Sequence, residues 1–264
     1  MTKEEAQKLA ILRIKAGSHL FGLNVEGSDV DEMGVLIEPM HLCCGIRKPF
    51  EQYISEGEGG DCTIYSLRKY LSLALKGNPT VLTLLFAPFQ MYFGSTSVGC
   101  QLQELAPEIV SKQAGPAFLG YLLAQRKRLK GERGNAGHGV FREELVAQYG
   151  YDTKFAMHML RLGIQGVEFL STGKLKLPME EPYRSHLLGV RKGSQTLQAC
   201  LEEAETLENT IKNLLDSGSP LPNKPNYLKV EEWMLERYWY AWSARRVPTI
   251  PCLPAYNGWD WGDD

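Results

Sequence analysis

Two aspartates two residues apart, Asp29 and Asp31, lie at the head of an apolar run, residues 30–37, that reads as a β-strand. Side chains alternate across a strand, so this spacing aims both carboxylates at one face. Two like charges a few ångströms apart repel by about 1–4 kcal/mol between the dielectrics of a protein surface and water. A strand that also carries core residues gains nothing from that repulsion. A divalent cation turns it into a site of hard oxygen ligands suited to Mg²⁺ or Mn²⁺. A bare D-x-D also fits an exposed edge with two solvated acids, so context has to decide. That context is Gly17-Ser18, which ends a preceding strand over residues 10–16, with ten residues between Ser18 and Asp29. Glycine lets backbone N–H groups approach a phosphate closely, and the serine hydroxyl adds a donor.

The rest of the chain divides into two kinds of pattern. Residues 3–9 read as a short helix, and a short strand begins at Asp61 after the glycine-rich stretch 57–60. From Tyr65 onward helical spacing takes over. Leu67, Tyr70, Leu71, Ala74 and Leu75 share a face, and Gly77-Asn78-Pro79 stops that helix. Helices are expected over 101–112 and 116–130, with Gly115-Pro116 between them. Asp152 is a good N-cap for a long helix to about Ser171, closed by Gly173. A further helix from a Ser194 cap to about Asp216, a linker over 217–225 and a last helix over 230–245 complete the pattern. Strands concentrate before about residue 95, so the reading is α+β: a small mixed sheet with helices, followed by a helical domain. The expected boundaries are 1–112 for the first domain, 113–250 for the helical domain and 251–264 for a C-terminal tail.

Composition limits the function classes. With 264 residues, 44% hydrophobic, the chain can bury a core without disulfides. A net charge of −2 gives no global basic excess, so any nucleic-acid role must rest on a local patch. The six cysteines include no C-x-x-C pair and read as reduced thiols. The N-terminus reads as neither a signal peptide nor an anchor, and no window approaches the roughly 18–20 apolar residues of a membrane span. A cytoplasmic protein without membrane attachment is expected.

The segment GSHLFGLNVEGSDVDEMGV resembles the G-S-x10-D-x-D signature of the DNA polymerase beta nucleotidyltransferase superfamily. Phe21-Gly22 and Gly34 resemble a bacterial and phage subgroup of predicted nucleotidyltransferases, some of which accompany RNA-repair ligases. Asp61, residues 65–70, Gly77-Asn78-Pro79, Leu84-Leu85-Phe86, residues 151–162 and 190–193 are similar to later blocks of that subgroup. Thr83 departs from it, standing where a glutamate is expected. The resemblance implies a DNA polymerase beta-like catalytic domain, two Mg²⁺ (or Mn²⁺) ions and transfer of a nucleoside monophosphate from an NTP to a hydroxyl. It also implies a third carboxylate on a neighbouring strand, for which Asp61 is the candidate and Glu56 and Glu58 are competitors. Asp29, Asp31 and Asp61 would be catalytic and metal-binding, while Gly17 and Ser18 hold phosphates.

Lys154, His158, Arg161 and Gln165 fall at i, i+4, i+7 and i+11 of the long helix and share a face. Spacing alone fits a solvated polar face. The resemblance implies instead that the stripe faces the active site, with Lys154, His158 and Arg161 binding nucleotide. The basic run 125–130 and Arg133 in the glycine-rich loop 131–139 fit either a solvated helix end or an electrostatic funnel for NTP or RNA. Three functions follow: transfer to an RNA or tRNA 3′ end; adenylylation of a partner protein, as by antitoxins; or nucleotide binding without catalysis. A small-molecule acceptor stays open.

Overall fold

In the computed structural model the described residues are 1–57, 59–131 and 142–244. The chain opens with α1 (Lys3–Leu9), fixed by a reciprocal capping box between Thr2 and Glu5, and runs directly into β1 (Ala10–Lys15). Next come α2 (Gly17–Phe21), β2 (Glu32–Leu36), α3 (Met40–Cys43), β3 (Gln52–Ser55) and β4 (Cys62–Ser66). They are followed by α4 (Leu67–Leu75), α5 (Pro79–Leu82), β5 (Tyr92–Ser95), α6 (Ser97–Glu104) and α7 (Ala106–Ile109). The remainder is helical: α8 (Ala114–Leu129), α9 (Glu143–Tyr149), α10 (Thr153–Thr172), α11 (Tyr183–Arg191), α12 (Leu197–Asn213) and α13 (Tyr227–Ala244).

The five strands form one mixed sheet in the order β3-β4-β2-β1-β5. β1 is antiparallel to both β2 and β5, β3 is antiparallel to β4, and β2 runs parallel to β4. The fold is therefore α+β, as the pattern of periods indicates. β3 and β5 were not legible. Each is four residues long, largely unburied and without clear alternation, which is what an edge strand can be.

Local readings shift in three places. β2 begins at Glu32, so Asp29 and Asp31 lie on its lead-in rather than within the strand. The parallel hydrogen-bond rhythm nevertheless reaches back past Asp31 to Val30: the Val30 N–H donates to Gly59 O (3.3 Å) and the Glu32 N–H to Asp61 O (2.7 Å). Gly115-Pro116 sits inside the first turn of α8, where a proline lacks no needed N–H, instead of separating two helices. Thr196, not Ser194, caps α12, its hydroxyl accepting from the Ala199 N–H at 3.1 Å.

α10 is the axis of the helical part. Asp152 caps its start and Gly173, in the left-handed conformation, ends it, both as expected. Gly163 and Gly166 let neighbours come close. A Cβ on Gly166 would lie 3.1 Å from the Phe118 Cβ of α8, and one on Gly163 would lie 2.8 Å from Leu207 of α12. The apolar side of α10 joins a core that continues through Phe118, Leu20 and Phe21 to Leu12 and Ile14 of β1. α13 returns to the sheet half. The Tyr238 hydroxyl donates to the buried Glu38 carboxylate (2.9 Å) and accepts from the Arg68 N–H (3.1 Å), while Trp242 Nε1 donates to Glu38 O (2.9 Å). Among the described residues no helix is long and apolar enough to cross a membrane.

Candidate active site

The parallel pairing of β2 with β4 sets Glu32 opposite Cys62, which places the residues just before each strand side by side. Those residues are Asp31 and Asp61. The Asp61 N–H donates to Asp31 Oδ1 at 3.1 Å, and Asp31 O accepts from the Ala16 N–H at 2.8 Å. Asp31 is half-buried, whereas Asp29 and Asp61 are exposed. Glu58, one competitor for the third carboxylate, lies outside the described residues.

Two glycines permit this closeness. Gly60 has φ +122°, and a Cβ there would lie 2.3 Å from Val30 O. Gly17 has φ +59° and starts α2; a Cβ there would lie 2.0 Å from Asp31 Oδ2. The Asp31 carboxylate thus occupies the space that any other residue at position 17 would fill. This explains, in steric terms, why the Gly-Ser turn and the D-x-D pair belong together. Replacing Gly17 with alanine should displace that carboxylate and cost about 1–2 kcal/mol in backbone strain. Displacements on the 1 Å scale cost about 10²-fold in rate. We expect a transfer assay on Gly17→Ala to show a loss of that order with the fold retained. Wild-type turnover would contradict this packing account.

The loop between Gly22 and Asp29 is fastened at its end. The Ser28 hydroxyl accepts from the Val25 N–H (2.9 Å), and His19 Nε2 lies 3.3 Å from Ser28 O. His19 therefore tethers the loop that delivers Asp29.

The polar stripe of α10 is not a solvated face. Lys154, His158 and Arg161 are half-buried, and Gln165 is buried. The Arg161 guanidinium lies over the Phe21 ring of α2, 4.0 Å from its centroid, and donates to Gln165 Oε1 at 2.7 Å. Phe21 ends the helix that Gly17 begins, so the stripe faces the turn carrying the G-S motif. Lys154 is close enough to feel the Asp31 charge. Burial, then repulsion from Arg142 and Arg191, pulls the Lys154 pKa down, while Asp31 and Asp152 oppose that shift. Burial first, then Arg161, Lys154, Arg142 and Arg191, drops His158 to about 3, so its imidazole is neutral near pH 7. Burial lowers Arg161 to about 10, which leaves it charged. Arg161 Nε and Gln165 Nε2 are buried without a hydrogen-bond partner.

The pattern of residues gave no role to Arg142 or Arg191. Both act through space on the charges of Lys154 and His158 from outside α10, and only folding brings them within that range. The basic run on α8 is partly neutralised, since Arg126 pairs with Glu208 at 2.9 Å. Arg133, most of the glycine-rich loop and the Trp259–Asp264 tail fall outside the described residues. Among the described residues, no group of three or more His, Cys, Asp or Glu side chains is gathered as a metal cluster. The donor chemistry still fits a hard cation. Three carboxylates sit on adjoining backbone, one of them seated against a glycine and within range of a lysine's charge.

A mixed sheet whose parallel strands carry aspartates at one end, against a Gly-Ser helix start, defines a nucleotidyltransferase of the DNA polymerase beta superfamily. Within that superfamily the chain belongs to the RNA repair pathway DNA polymerase beta family (RlaP), whose model matches residues 2–236. Comparison with curated proteins gave no match. Among solved structures, the chain is similar to a nucleotidyltransferase-like protein from Exiguobacterium sibiricum 255-15. The identity is 10%, the match covers 89% of this chain and 76% of that one, and the TM-score is 0.29.

Proposed function

We propose that the protein transfers a nucleoside monophosphate from an NTP to an acceptor hydroxyl, with an RNA 3′ end as the acceptor. The observation that carries this reading is the apposition of opposite charges. The Asp31–Asp61 end of the sheet faces the Lys154–His158–Arg161 side of α10, where buried N–H donors lack partners. Buried donors of that kind suit a phosphate chain.

In the reaction the acceptor oxygen attacks the α-phosphorus, the bond to the bridging oxygen of the β-phosphate breaks, and pyrophosphate leaves. Asp29, Asp31 and Asp61 would hold Mg²⁺ or Mn²⁺, which supplies charge neutralisation on the phosphates. Asp61, exposed beside the half-buried Asp31, takes the hydroxyl proton on its carboxylate. Gly17 and Ser18 hold phosphate oxygens at the start of α2. Arg161 offers a planar fork to the triphosphate and Lys154 a point charge. Neutral His158 donates one hydrogen bond without adding to the repulsion among the cations.

The test is to incubate the full chain with Mg²⁺, each α-labelled NTP in turn, and tRNA or cell lysate. Label in RNA is the expected result. Label in protein would move the acceptor to a hydroxyl on a partner, as in adenylylation. Bound NTP with no label in any fraction would overturn the transferase reading in favour of a nucleotide-binding regulator.

A further inference from the structure

Three segments meet beyond the first turn of α10: the start of α9, the Asp152 cap and the end of α11. Tyr149 is pressed against Gly193, where a Cβ would lie 2.2 Å from the Tyr149 ring. Thr153 Oγ1 donates to Arg191 O at 2.9 Å. These contacts fix Arg142 and Arg191 beside Lys154. Arg142 has an acid of its own, since its Nη1 and its backbone N–H both donate to Asp152 Oδ2, at 3.3 and 3.2 Å. Its guanidinium also lies over the Phe155 ring, 5.5 Å from the centroid. Arg191 differs. Among the described residues no carboxylate comes within ion-pair distance of it, and its Nη1 is buried with no partner. Asp152 and, more weakly, Glu144 act on it only through space, against the repulsion from Arg142.

Like charges held together with an unanswered buried donor favour an anion. We propose that Arg142 and Arg191 form a phosphate subsite separate from the Lys154–His158–Arg161 face, and that it holds a backbone phosphate of a polynucleotide acceptor. The stripe from Lys154 to Arg161 rises about 10 Å along α10, enough for a triphosphate. Arg142 and Arg191 lie off its Lys154 end, on the Asp152 cap and against Thr153, outside the span from Lys154 to Arg161 that a triphosphate fills. A protein hydroxyl brings no phosphate to such a place, whereas every nucleotide of a strand does. Arginine matches the bidentate geometry of a phosphodiester. The subsite rests on the transferase reading for its purpose, but its occupancy is measurable without turnover.

The experiment measures equilibrium binding by the full chain of a fluorescent single-stranded RNA with a free 3′ hydroxyl, of Mg-ATP and of inorganic tripolyphosphate, across a salt series. Arg191→Gln and Arg142→Gln should each weaken RNA binding about tenfold and reduce the slope of log K against log salt by about one. ATP and tripolyphosphate affinities should stay within about threefold, which also reports an intact fold. Arg191→Lys should recover part of the RNA affinity, since it keeps the charge and loses the fork. Equal losses for RNA and tripolyphosphate would assign the arginines to the triphosphate and overturn the subsite. So would unchanged RNA binding in both glutamine variants. If Arg191→Gln loses every ligand, Arg142→Gln and Arg191→Lys decide by the same criteria. Arginine-dependent RNA binding by a protein that binds no ATP would sink the transferase reading and leave the subsite standing. Labelling of a protein acceptor with no RNA binding would do the reverse.

Discussion

Asp31→Asn should lower nucleotidyl transfer by about 10³-fold or more, an increase in barrier of about 4 kcal/mol. Asparagine keeps the size of the side chain and an oxygen able to accept from the Asp61 N–H, so the local backbone is preserved. What it removes is the charge that faces Lys154 and that a divalent cation would require. It also replaces one carboxylate oxygen with an NH₂ in a group whose Oδ2 already fills the space against Gly17. A loss through charge alone should leave stability within about 1 kcal/mol of wild type, as for substitutions that create no cavity and strand no buried group. Single-turnover rates with α-labelled NTP, read beside a urea melt, separate the two effects. Transfer within tenfold of wild type would rule out Asp31 as the centre of the site. Asp29→Asn should act in the same direction through the cation, without the steric link to Gly17.

The half of the site built from local sequence was legible, because its geometry is a matter of short spacing. Gly17 and Asp31 are joined across one antiparallel pair, in which the Ala16 N–H meets Asp31 O. Asp61 was harder, with Glu56 and Glu58 as rivals, because its position depends on the register of a parallel pairing that no local pattern encodes. The stripe on α10 shows a different limit. Polar residues at i, i+4, i+7 and i+11 look alike whether they face water or a cleft. The discriminating fact is Phe21 beneath Arg161, a contact between residues 140 positions apart in the chain. Arg142 had no signal for the same reason, and Arg191 had only its place in the 190–193 block, which assigns it no role. Each is a single cation outside any periodic face, and they are brought near each other by contacts distant in sequence: Arg142 on Asp152, Arg191 O on Thr153 and Tyr149 on Gly193. Asp152 was legible as a helix cap, yet its second carboxylate oxygen, which holds Arg142, has no signature in sequence.

That double duty makes Asp152→Ala the substitution expected to cost most in stability, about 3–5 kcal/mol. Asp152 is fully buried. Its Oδ1 accepts from the Lys154 and Phe155 N–H groups at 2.9 and 3.1 Å, and its Oδ2 accepts from Arg142 twice. Losing a cap costs about 0.5–2 kcal/mol. Breaking a buried ion pair by removing one partner costs about 3–5 kcal/mol. Arg142 keeps 25% of its side chain in solvent, so that second figure must be discounted, and the two together stay near the upper single value. Asp152→Asn separates the contributions. Its amide oxygen can still cap α10, but its NH₂ meets the donors of Arg142 instead of answering them, so it should recover only the cap's share of the alanine cost, about 0.5–2 kcal/mol. The ordering follows from geometry: the cap needs an oxygen, whereas the arginine needs a charge. Urea denaturation of both variants checks it, and an alanine cost below about 1 kcal/mol would mean that α10 and Arg142 are held by something else. Because Asp152 acts on both Lys154 and Arg191, its neutralisation should also deepen the repulsion that, after burial, lowers the Lys154 pKa. A polyanion bound there would relieve that repulsion. Added single-stranded RNA should therefore stabilise Asp152→Asn more than wild type, a difference that a cap-only role for Asp152 does not produce.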